Sequence, residues 1–126
     1  MNVRKLNEAV EVLKEDLGDG LIACNIFTVQ EGLSVAGYNS QPKASALFNQ
    51  VTSNLIKILK AANFPGLGKY YIVDLEDNNM AIILPLGEYR WGILVDTQKV
   101  QLGLLVSIAI PNCIESFEEA SKKSIL

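Results

Sequence analysis

The chain has no histidine. Near neutral pH, histidine is the commonest general base and a frequent metal ligand. Its absence removes the Ser-His-Asp and Cys-His arrangements and the usual zinc-ligand sets together. Cysteine is scarce: Cys24 and Cys113 are the only two, both in apolar contexts and without a CxxC spacing. That is too few for a disulfide framework and suits buried, reduced thiols of a cytoplasmic protein. Charged residues make up 20% of the 126 and aromatic residues 7%. A net charge of −3 gives no basic footprint for nucleic acid. Trp91 and the tyrosines do not interleave with a basic patch, so no stacking platform for single strands is expected. The longest apolar run, residues 102–111, falls far short of the ~20 residues of a membrane span. Residues 1–17 are charged and amphipathic, which argues against a secretory leader.

What is abundant is apolar surface. Hydrophobic residues make up 49% of the chain and the mean hydropathy is +0.23. A small domain keeps much of its surface in water, so this excess suggests an oligomer. The length argues for one domain spanning 1–126, and no repeat, low-complexity tract or linker interrupts it.

Residues 42–64 are the stretch around which the chain is organised. At about 100° per residue, Ala44, Leu47, Phe48, Val51, Leu55, Ile58, Leu59 and Ala62 fall within roughly a 120° arc. Asn39 or Ser40 can cap this helix, Pro42 suits its first turn, and Pro65-Gly66 ends it. A second strip, Ser45, Asn49, Thr52, Ile56 and Asn63, carries no charge and would let another backbone approach. The expectation is that the apolar arc covers a sheet and the second strip meets a partner. The charges here are Lys43, Lys57 and Lys60, with no acid among them.

Other elements follow from periodicity. Residues 2–17 read as a helix stopped by Gly18. Residues 21–29 form an apolar strand, turned at 30–32 into a shorter strand over 33–37. Residues 69–75, 80–84 and 90–96 make a three-strand meander, with Glu76-Asp77-Asn78-Asn79 as its first turn. In the tail, 104–110 could be a strand followed by a helix opened at Pro111. The stripe Leu102, Leu105, Val106, Ala109, Ile110, Cys113, Phe117, Ala120 runs through Pro111 unbroken, however, and favours one helix over 100–122, kinked at the proline. The order α-β-β-α-β-β-β-α gives an α+β domain, a five-stranded antiparallel sheet with helices on both faces.

Candidate chemistry is sparse. Asp74, Glu76 and Asp77 sit at a strand end and turn, where acids are usually there for solvation. Gly66-Leu67-Gly68-Lys69 precedes a strand, where a phosphate loop would open a helix. No cofactor, metal or catalytic residue is assigned, and an enzyme is not expected. The remaining candidates are surfaces: the uncharged strip, and Tyr70, Tyr71, Ile72 and Val73 on a strand at one end of the meander, whose unpaired edge must be covered or paired.

The succession of features resembles the roadblock family of dynein light chains and their bacterial relatives that regulate small GTPases. The features are the leading helix, the apolar first strand, the Glu31-Gly32-Leu33 hairpin turn, the long second helix, the meander and Leu102-Gly103-Leu104-Leu105 at the start of the last helix. The resemblance spans about residues 6–120 and departs at Pro111. It implies a profilin-like sheet of order 2-1-5-4-3, with the long helix on one face and the two terminal helices on the other. It further implies a dimer, of two copies or with a paralogue, in which second helices lie antiparallel and third strands pair edge to edge. Such proteins are non-catalytic partners of small Ras-like GTPases, scaffolds or motor adaptors. On this reading Lys57 and Lys60 would meet the partner, and neither nucleic acid nor membrane insertion is involved. The alternative is a small-molecule-sensing module of profilin-like or PAS-like type, which needs convergent polar groups in an apolar pocket; the sequence alone names none.

Overall fold

The computed structural model describes residues 2–122. Helix α1 (Val3–Leu17) is capped by the Asn2 side chain, which accepts from the Lys5 N–H at 3.2 Å. It ends at Gly18, whose φ of 54° is left-handed and whose N–H donates to the Lys14 carbonyl. Strands β1 (Leu21–Thr28) and β2 (Ser34–Tyr38) form the hairpin. Helix α2 (Pro42–Ala61) leads to the meander β3 (Tyr71–Leu75), β4 (Asn79–Leu86) and β5 (Tyr89–Asp96). All pairings are antiparallel and the sheet order is β2-β1-β5-β4-β3, as the resemblance implied.

The two sheet faces differ in character. Cys24, Ile26, Ile82, Leu84, Trp91, Ile93 and Val95 point to the terminal helices and join Leu6, Leu13, Leu105, Ile110 and Phe117 in one buried core. The terminal helices are tied directly: Asn112 Nδ2 donates to Asp16 Oδ2 at 2.9 Å, and the Asn2 N–H donates to the Ala120 carbonyl at 3.2 Å. α2 lies over the opposite face, against the intervening positions of β1, β4 and β5.

Three local expectations change. The cap of α2 is Gln41, without a side-chain bond. Asn39 instead donates to the Ile22 carbonyl and Ser40 to the Cys24 carbonyl, so both hold the chain to β1. Residues Lys69 and Tyr70 precede β3 rather than belonging to it. The tail runs as one helix from Leu102 to Ser121, and its irregularity lies ahead of the proline: α3 (Leu102–Leu104), a π turn (Leu105–Ala109), then α4 (Ile110–Ser121). The Ile110 N–H bonds five residues back, to the Leu105 carbonyl. A π turn widens the helix just where the Pro111 ring would otherwise meet the carbonyl four residues before it, and so replaces a sharp kink.

Both cysteines are buried on the terminal-helix face. Burial pushes the Cys24 thiol up from 9.0 to about 11, offset in part by the Trp91 indole. Burial raises Cys113 further. Unfolded thiols ionise as the pH passes 9, while the folded ones hold their protons, so rising pH favours the unfolded chain. The thiols' contribution is fully present below pH 9; that of Cys24 falls as pH rises through 9 to 11, and that of Cys113 goes on falling above it. Urea denaturation across that window should show a steeper loss of stability than in a Cys24→Ala, Cys113→Ala variant. Equal slopes would contradict this account.

Candidate interaction surface

The sheet face beneath α2 carries three polar side chains. Asn25 (β1), Arg90 (β5) and Tyr71 (β3) all point to α2, and each is met by a polar residue of that helix. The Asn25 amide donates to Ser45 Oγ and accepts from Ser34 Oγ. Arg90 Nη1 donates to the Asn49 carbonyl and side-chain oxygen, both at 2.7 Å, and to Ser53 Oγ at 3.0 Å. Asn49 Nδ2 donates to the Val29 carbonyl at 2.9 Å. Thr52 donates to the Phe48 carbonyl at 2.6 Å, and its oxygen lies 2.7 Å from the Tyr71 hydroxyl. Thr52 is 0% exposed and Arg90 only 5%. Desolvation lowers the Arg90 pKa, with Tyr71 acting in the other direction. Each acceptor it meets here is neutral.

The helix is therefore turned relative to the sequence-based expectation. Ser45 and Thr52 are buried in their own domain, and half-buried Asn49 is engaged by Arg90 and Val29, so these three do not form a partner-facing strip. Of the arc expected to cover the sheet, Leu47 is 56% exposed, Val51 38% and Ile58 64%. Phe48, Leu55 and Leu59 are half-buried at its margin. The physical reason is a comparison of costs. Burying Leu47, Val51 and Ile58 in the monomer would gain about 1.5–3 kcal/mol each. It would also strand Asn25, Tyr71 and a charged guanidinium against apolar side chains. A buried polar group without a partner costs about 1–3 kcal/mol, and a charge considerably more. Ser45, Asn49 and Thr52 go in, and the Leu47, Val51 and Ile58 side of the arc is left outside.

The remaining expected contacts divide. Ile56 is 40% exposed, and Asn63, Lys57 and Lys60 are exposed. Neither lysine forms an ion pair among the described residues. On the helix wheel they stand on the flank away from Leu47, Val51 and Ile58, separated from Ile58 by about 100° or more. Tyr70 is exposed ahead of β3, and Tyr71 turns inward to Thr52. Ile72 packs on the terminal-helix core, and Val73 is half-buried. Among the described residues β3 bonds only to β4, which leaves its outer backbone edge unpaired, and Leu75 at its end is exposed. The missed signal was in the strands: Asn25 within an apolar run and Arg90 beside Trp91 are inward positions that demand polar partners.

This orientation ranks two substitutions. Thr52→Val should destabilise the fold by about 1–3 kcal/mol, since it strips the Tyr71 hydroxyl of its partner. Leu47→Ser should cost under about 0.5 kcal/mol in the monomer. Urea denaturation at dilution low enough to keep the chain monomeric measures both, and the reverse ranking would contradict the orientation.

No protein-family model matches the sequence, and no curated protein sequence does. Solved structures do match in shape. Myxococcus xanthus MglB superposes with a TM-score of 0.74 at 13% identity, covering 98% of this chain and 95% of that one. The Roadblock/LC7 domain from Streptomyces avermitilis gives 0.65 at 14% identity, covering 90% and 94%. Acanthamoeba castellanii profilin II gives 0.59 at 11% identity, covering 92% and 98%. The sheet order, the helix placement and these superpositions together show that the chain has the roadblock fold.

Proposed function

We propose that this protein is a non-catalytic, dimeric regulator or scaffold that binds a small Ras-like GTPase. The observation that carries the dimer is the outward apolar ridge of α2, Leu47, Val51 and Ile58, on a domain whose β3 edge is also unpaired. An exposed stripe of large aliphatic side chains along one helix marks a contact surface. A second copy supplies an identical ridge, and two such stripes packed antiparallel bury each other about a two-fold axis. The open β3 edge then extends the contact by backbone pairing. In this dimer Tyr70 lies ahead of the paired β3 edge, Ile56 and Asn63 stay on the Thr52 side of the wheel and outside the ridge, and Ser45, Asn49 and Thr52 hold α2 to its own sheet. A paralogue with the same ridge would serve equally as the second subunit.

The roadblock resemblance supports the GTPase as the further partner. Lys57 and Lys60 lie on the flank that the ridge does not use, and an acidic surface on the partner suits them. Their attraction speeds encounter and weakens as salt screens it.

Light scattering at micromolar concentration should return twice the 13.8 kDa chain mass. Leu47→Asp or Ile58→Asp should return the monomer mass, because each buries an unpaired charge in the interface. A wild-type monomer would overturn the dimer. For the partner, capture from the native cell followed by mass spectrometry should recover a small GTPase. A Lys57→Glu, Lys60→Glu variant that stays dimeric should bind it at least about tenfold less tightly at low salt. Unchanged affinity and salt dependence would remove this flank from the binding site.

A further inference from the structure

Beneath the first half of α2 lies a cavity of about 100 Å³. Its floor is formed by small residues of three neighbouring strands, Ala23, Ala81 and Gly92, and its walls include Phe27, Ile83 and Phe48. The polar bonds described above explain why it exists. Asn25 to Ser45 and Arg90 to Asn49 and Ser53 fix the height of α2 over the sheet. The small floor residues do not fill the space left below. The space is partly open to solvent rather than a closed void, and since an apolar cavity of about 150 Å³ accepts benzene, one of about 100 Å³ takes at most a single ring.

We propose that this cavity is a binding site for a small, uncharged, largely apolar molecule about the size of one six-membered ring. No charged side chain lines it, so an ionic ligand would lose its hydration without compensation. The Asn25 amide stands in the lining with one hydrogen given to Ser45 and its oxygen engaged by Ser34. Its second hydrogen has no acceptor among the described residues and can serve a single oxygen or nitrogen on the ligand. Ala44 and Phe48, on the margin of the apolar arc, line the site, whereas Leu47, Val51 and Ile58 do not.

Benzene and phenol are the probes. Titrated into ¹⁵N-labelled protein, each should move the amide resonances of Ala23, Ala81 and Gly92 saturably, with phenol the tighter. A Cβ built at Gly92 makes ordinary contacts, 3.5 Å to Ile83 Cδ1 and 3.8 Å to Phe27 Cε1, so a larger side chain there projects into the space. Gly92→Val and, independently, Ala81→Val should each weaken both probes at least roughly tenfold. Absence of saturable shifts, or unchanged affinity in a folded variant, would overturn the proposal. Should both variants fail to fold, crystals of the unaltered protein under xenon decide. Xenon between α2 and the sheet supports the site, and its absence there refutes it.

Discussion

The guanidinium of Arg90 governs how this molecule is assembled. It is a nearly buried charge on the face of a sheet, with no acid paired to it among the described residues, and it must be hydrogen-bonded to be tolerated. Asn49 and Ser53 supply the acceptors, and they can do so only if one face of α2 turns down. Asn25 and Tyr71 set the same requirement at either side, through Ser45 and Thr52. The orientation of the helix follows from the sheet beneath it. So does the exposure of Leu47, Val51 and Ile58, because a helix that spends its polar strip on its own domain has its apolar arc left over.

The other side of the sheet obeys the ordinary rule. There, apolar side chains of β1, β4 and β5 meet apolar stripes of α1 and α4, and the polar contacts between these helices lie at the margins. The domain thus has one greasy, closed layer and one hydrogen-bonded, incompletely filled layer. Stability comes mainly from the first. The second leaves Leu47, Val51 and Ile58 outward and a small cavity below α2. The division shows where part of the 49% hydrophobic content goes in a domain this small: Leu47, Val51 and Ile58 lie outward on α2.

Much of the fold was legible in the sequence. Val3, Leu6, Val10, Leu13 and Leu17 recur at helical spacing, and all but exposed Val3 at the helix start are buried; the strands of the meander announce themselves by β-branched runs between turn residues. The sheet order was reachable only through resemblance, since strand pairing across long connections is not encoded in local pattern. The face of α2 was misjudged because hydrophobic periodicity assigns the apolar arc to the interior by default. That default fails when the opposing surface is polar, and Asn25 and Arg90 were the residues that said so. The π turn escaped notice for a different reason: the stripe through Pro111 keeps helical phase, and periodicity does not report how the backbone accommodates a missing N–H. Lys57 and Lys60 are exposed, and once the exposure of Leu47 and Ile58 defines the ridge, the wheel sets both about 100° or more from Ile58.

The central claim is that α2 turns its apolar arc outward for a second copy of the chain. Hydroxyl-radical footprinting across a dilution series tests it most directly. Leu47 and Ile58 should oxidise readily in dilute protein and become protected as concentration rises through the dimerisation range. Protection at every concentration would place these side chains against the sheet and contradict the orientation. Reactivity at every concentration would show that the ridge has no second copy to meet.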